Sequence, residues 1–171
     1  MLLNRNSSFV ALGGIATALS FVCLLVSSFA PSFKLILISM SSVIVGVLIC
    51  AGGNKLAVVH YIAVSVLAIL FLPNKSMAVM YVVALGNYPL LKKYIERIFS
   101  VVYRWATKFL LFNLYIVLCC GVAKYLLGFE FLYDDYVHII MVWLLGFMYF
   151  FVYDRSYMTF VYKAYDLINK I

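Results

Sequence analysis

The residues of this chain that could do chemistry are few, and most of them gather in one stretch. Lys124, Tyr125, Glu130, Tyr133, Asp134, Asp135, Tyr136 and His138 lie close together in sequence, and Lys34, Lys75 and Tyr81 fall near connections expected on the same side of the molecule. A few convergent charges among aromatic walls are what a small-molecule pocket needs, because rings supply contact area while charges fix orientation. The substrate-binding candidates are therefore Lys34, Tyr81, Tyr125, Glu130, Asp134, Asp135 and His138. A solvated loop edged by an aromatic belt would have the same composition.

Catalysis has little to work with. The chain holds six acidic residues and two histidines, and no HExxH, GxSxG, Walker or acid-rich metal-dependent transferase pattern occurs among them. No enzyme activity, cofactor or metal is expected, and ATP-driven work would need a partner. His60 has no acidic residue in the apolar runs to relay a proton with, which argues against an ion-coupled pump. Cys23, Cys50, Cys119 and Cys120 all lie in apolar runs without a CxxC pair, and read as small packing residues rather than zinc ligands or disulfides.

The elements that must carry these residues are set by composition. With 67% hydrophobic and 11% charged residues and a mean hydropathy of +1.11, the chain cannot cover a core with polar surface, so lipid must be its main solvent. The length suits one domain, residues 1–171. A net charge of +7 is read as loop retention and contact with lipid headgroups, not as nucleic-acid binding. No charge occurs from Asn6 to Phe33, too long a stretch for a signal-peptide core, so a first span is expected there and no cleavable signal.

A helix needs about 20 apolar residues to cross a bilayer. Six such spans are expected, near 8–30, 35–51, 56–72, 76–91, 105–126 and 136–153, the first three ended by Pro31, Gly52-Gly53-Asn54 and Pro73-Asn74. None alternates as a barrel strand would, so the fold class is an all-α six-helix membrane bundle. Pro89 predicts a kink or a fresh helix start near the end of span four. Residues 92–108 predict an interfacial helix running from span four into span five. The tail, 155–171, has amphipathic spacing and either lies on the membrane or extends span six. Ser39, Ser41 and Ser42 place hydroxyls inside span two, where they can bond back to their own helix.

Orientation follows from Lys and Arg. With the N-terminus inside, ten basic residues fall in cytoplasmic segments (Arg5, Lys55, Lys92, Lys93, Arg97, Arg104, Lys108, Arg155, Lys163, Lys170) and three outside (Lys34, Lys75, Lys124). Both termini are then cytoplasmic.

In the first span, Gly13 and Thr17, and Gly14 and Ala18, are four apart. Small residues at this spacing let helix backbones approach closely, either within the chain or against a partner membrane protein. Six spans in a short chain, this small-residue motif, and Pro31-Ser32-Phe33-Lys34 followed by span two and Gly52-Gly53 resemble the substrate-binding S component of energy-coupling factor (ECF) transporters. The stretch Gly86-Asn87-Tyr88-Pro89-Leu90-Leu91-Lys92-Lys93-Tyr94-Ile95-Glu96 also resembles a family of uncharacterised bacterial membrane proteins. The first resemblance implies a bacterial cell-membrane subunit that captures a vitamin-like micronutrient from outside. It implies docking through Gly14 and Ala18 onto a transmembrane coupling protein driven by ATPase subunits. A non-enzymatic scaffold using the same face, or a lipid-acting enzyme using Asp134 and Asp135, are the alternatives.

Overall fold

A computed structural model describes residues 5–30, 32–98, 100–127 and 136–168. Among these the chain is helical: α1 (Arg5–Phe29), α2 (Lys34–Phe71), α3 (Lys75–Met80), a π-helical turn (Tyr81–Leu85), α4 (Tyr88–Ile95), α5 (Val101–Leu127) and α6 (Tyr136–Ile168). Among the described residues, three helices are long and apolar enough to cross a membrane: Phe9–Phe29, Lys34–Phe71 and Val101–Val122.

α2 is an antiparallel hairpin. Gly53 inside it has φ 80° and ψ 177°, a region that residues with a Cβ essentially do not occupy. The contacts on either side show the reversal. Ser42 Oγ donates to the Leu85 carbonyl, and Tyr61 Oη donates to the Val82 carbonyl at 2.7 Å. In a straight helix Ser42 and Tyr61 would stand about 28 Å apart, yet both reach the same π turn. Val45 and Leu48 on the first arm accordingly cluster with Ala57 on the second. The expected break at Gly52-Gly53-Asn54 is this bend.

The hairpin is the hub, touching α1, α3, the π turn, α4 and α6. The main core joins Leu24 of α1 and Ile38, Val64 and Ala68 of α2 with Tyr81, Leu85, Tyr88, Tyr115, Tyr153 and Tyr157. The outward surface is apolar as well. Ile15 is 72% exposed and Leu110 71%, and Val59, Leu70 and Leu145 share this pattern, which water would penalise and lipid would not.

Two expectations are revised and a third is decided between its alternatives. Segment 76–91 is not one regular helix. Its middle widens into the π turn, closed by Gly86 N–H donating to the Tyr81 carbonyl at 2.7 Å. A Cβ at Gly86 would lie 2.8 Å from that carbonyl oxygen and 3.0 Å from the Tyr61 ring, so glycine permits this closure. Residues 92–108 do not form one interfacial helix, because α4 stops at Ile95 and α5 starts at Val101. Of the two readings of the tail, the extension of span six holds as far as Ile168, to which α6 runs unbroken.

Candidate functional site

α3, the π turn, α5 and α6 surround a cavity of about 460 Å³. Its size lies within the range of small-molecule sites, roughly 300–1,000 Å³. The wall is mostly apolar and soft: Met77, Met80, Phe112, Ile116, Phe150 and Cys119 are representative. Gly146 faces Phe112 across it, where an added Cβ would sit at 3.5 Å. Two of its three wall tyrosines have engaged hydroxyls, while the buried Tyr115 hydroxyl has no partner among the described residues. Tyr149 Oη donates to the Leu35 carbonyl at 2.8 Å and also meets Ser39 Oγ. Tyr88 Oη donates to Asp154 Oδ1. What remains for a ligand is ring, thioether and thiol surface, with the Tyr115 hydroxyl and, at the margin, Ser76 as polar groups.

Tyr88 links this cavity to a buried charge cluster. Its ring packs edge-on against Phe150 at 5.2 Å, and its hydroxyl meets Asp154 from the other side. Asp154 is 7% exposed. Lys92 Nζ pairs with Asp154 Oδ1 and donates to the Asp154 carbonyl at 2.9 Å. Lys108 Nζ bridges Asp154 Oδ2 and Glu96 Oε1, each at 2.9 Å. Arg104 Nη1 reaches Glu96 Oε2 at 3.2 Å. Lys92 also sits 5.0 Å from the Tyr157 ring centroid, a cation–π contact. Burial pushes the Asp154 carboxyl up, but the hydrogen bonds from Lys92, Tyr88 and Lys108 outweigh it and hold its pKa below the ordinary value. Glu96 follows the same pattern, with burial opposed and overcome by Lys108 and Arg104.

This cluster gathers one end of the bundle. Lys93 Nζ donates to Asn54 Oδ1 at 2.7 Å, so the bend of α2, the end of α4, the start of α5 and the middle of α6 meet there. The halt at Ile95 has a physical reason. In a continuous helix Glu96 and Lys108 would be about 18 Å apart, whereas the break between α4 and α5 brings Lys108 back to Glu96 at 2.9 Å.

The sequence candidates are dispersed. Tyr81 is wholly buried and lies 6.3 Å from the Tyr61 ring. The π turn directs it into the α2 hairpin, so it is a core residue and not part of a mouth. Lys34 opens α2, partly exposed, and is not in the cavity wall. Glu130, Asp134 and Asp135 lie outside the described residues, as do the side chains of Tyr125 and His138.

Gly14 and Ala18 are placed on the open face of α1, where a Cβ added at Gly14 meets nothing within 4 Å. The neighbouring row does the packing within the chain. A Cβ at Gly13 would lie 3.1 Å from Leu56. Thr17 Oγ1 lies 3.0 Å from His60 Nδ1, and Ser20 Oγ lies 3.2 Å from His60 Nε2. His60 thus ties α1 to α2 through two hydroxyls.

Sequence reasoning missed Asp154 as a hub and missed the cavity. The available signal for the first was an acidic residue directly following a long apolar run in a chain with few acids.

Fold and site together define an all-helical chain with helices able to cross a membrane, an apolar cavity, and a charge cluster buried at one end. Compared with protein-family models, curated proteins and solved structures, the chain finds no match.

Proposed function

We propose that this chain is a multi-pass membrane subunit that binds a small molecule between α3, α5 and α6, and that it works as an S component of an ECF-type importer does. The observation that carries this reading is the cavity of about 460 Å³, whose wall includes Tyr88, and Tyr88 in turn donates to the buried Asp154. Its wall favours a largely hydrophobic ligand over a highly polar vitamin. Six passes follow if the two arms of α2 each cross once, α3 to α4 cross as one broken span, and α1, α5 and α6 cross once each. The positive residues at the Asp154 end support placing that end in the cytoplasm. The uncovered Gly14 and Ala18 face supports docking on a coupling protein in the membrane; it equally favours the second reading, a non-enzymatic partner subunit with no ligand.

The test is thermal stabilisation of the detergent-purified chain by a panel of vitamins and hydrophobic small molecules, run beside Ile116→Trp, which fills the cavity. A ligand that stabilises wild type but not the variant is expected, with an ATPase module co-purifying from native membranes. If no compound distinguishes the two proteins, ligand binding in the cavity is refuted. If a membrane partner still co-purifies, the scaffold reading stands in its place.

A further inference from the structure

The α5–α6 seam carries a second feature apart from the cavity. An apolar groove of about 430 Å³ is walled by Val102, Phe109, Phe147 and Phe151. Beside it a charged cleft of about 390 Å³ is walled by Arg104, Arg155, Glu96, Thr159 and Tyr162. The two adjoin, since Trp105, Lys108 and Asp154 border both. We propose that groove and cleft together form a site for an anionic phospholipid, with an acyl chain along the aromatic groove and the phosphate at Arg104 and Arg155.

Three observations converge on that chemistry. The first is charge. Lys92, Lys108 and Arg104 face two carboxylates, Asp154 and Glu96, so the cluster retains one uncompensated positive charge. Arg155 adds another on the same wall, exposed and with no ion pair among the described residues. The second is hydrogen bonding. Arg104 donates to Glu96 through Nη1, but its buried Nε has no partner. Guanidinium groups bind phosphate through several donors at once. The third is shape. Trp105 stacks on Phe151 at 5.6 Å with planes 19° apart, and Lys108 Nζ lies 5.5 Å from the Trp105 ring. The indole thus marks the boundary between apolar groove and charged cleft, where tryptophan sits at a membrane interface. A free phosphate would satisfy the cleft but leave the groove empty, and a zwitterionic lipid would satisfy the groove but not the surplus charge.

Trp105 is also the reporter. Trp143 is the other tryptophan in the chain, so Trp143→Phe leaves one indole. The variant is reconstituted in phosphatidylcholine vesicles containing a small equal fraction of acyl-brominated phosphatidylglycerol or acyl-brominated phosphatidylcholine. Bromine quenches only at short range. The anionic lipid is expected to quench Trp105 at severalfold lower mole fraction than the zwitterionic one. Replacing Arg155 with Ala, or Arg104 with Gln, is expected to weaken that preference about fivefold each, the effect of one interfacial cation. Arg155→Ala removes no ion pair among the described residues, and the side chain is exposed, so the variant is expected to fold as wild type. Equal quenching by the two lipids overturns the proposal. So does a preference that both substitutions leave unchanged, or one abolished by millimolar inorganic phosphate, which would make the cleft a site for the free ion.

Discussion

Replacing Asp154 with Leu removes the one carboxylate shared by two buried ammonium groups. The Lys92 side chain is 2% exposed and that of Lys108 is 10% exposed. Lys108 keeps Glu96 as a partner. Lys92 keeps only the backbone carbonyl of residue 154 and its aromatic contacts, and the Tyr88 hydroxyl loses its acceptor. Removing one partner of a buried ion pair costs about 3–5 kcal/mol, since the other charge stays buried and unpaired. Replacing Glu96 with Gln should cost far less, about 0.5–1 kcal/mol, because its side chain is 25% exposed and solvent screens the pair. Removing both members together, in Lys92→Met with Asp154→Leu, should recover most of the loss, because no isolated charge remains. The assay is equilibrium unfolding in mixed micelles titrated with dodecyl sulfate, followed by helical circular dichroism. The reasoning is refuted if Asp154→Leu costs no more than Glu96→Gln. It is equally refuted if the double variant loses as much as the two single variants added together.

Acid should act on the same cluster. Folding holds the Asp154 and Glu96 carboxyls below their ordinary values, so the unfolded chain takes up protons first as pH falls. Their stabilisation is complete above the unfolded carboxylate values near pH 4 and is lost as pH drops through the folded ones. Melting temperature should therefore be flat from pH 5 to about pH 8 with respect to these two groups and fall below about pH 4, with the fall reduced in the Lys92→Met, Asp154→Leu double variant. Gly53→Ala should destabilise by about 1–3 kcal/mol in the same unfolding assay, since its φ of 80° with extended ψ strains any Cβ. Ala18→Leu should leave the unfolding of the isolated chain within about 0.5 kcal/mol of wild type, because the site is exposed, while abolishing co-purification of a membrane partner. A loss of stability there would show that the α1 face packs within the chain.

The bends of this fold were legible because glycine, proline and asparagine punctuate it. Gly53 ends one arm and starts the next, and α2 stops at Phe71, just before Pro73-Asn74. Segment 76–91 was not legible in detail, since the run from Tyr81 to Leu85 has the same apolar character whether its carbonyls bond four or five residues on. The amphipathic tail gave the same pattern for a surface helix as for a continuation of α6, and only the shared cluster at Asp154, with Tyr157 packed one turn further on, shows the continuation. The charge cluster was hidden for a different reason. Asp154 pairs with residues 62 and 46 positions away, and spacing rules see only neighbours on one helix. The cavity was hidden because its methionine, cysteine and phenylalanine residues do not differ in type from those facing outward. In contrast, the four-residue spacing in α1 was legible as a packing motif, but not which of its two rows faced inward.

The seam between α5 and α6 is built almost entirely of rings. Phe112 meets Trp143, Phe147 and Phe150 at 6.1, 5.7 and 5.4 Å, and among the described residues two side-chain polar contacts cross it, Trp143 Nε1 to Asn113 Oδ1 at 3.1 Å and Lys108 Nζ to Asp154 Oδ2 at 2.9 Å. Stacked and edge-on rings have broad, shallow minima and no fixed partner atoms to break. The α1–α2 contact is the opposite kind, with small residues in close approach and a histidine held by two hydroxyls. The two contacts therefore differ in kind: α1–α2 is held by close approach and directed hydrogen bonds, and α5–α6 by ring area that ends at the Lys108–Asp154 pair. Because rings fix no register of their own, the Lys108–Asp154 pair is the directed contact that sets how far α6 stands along α5 at the charged end.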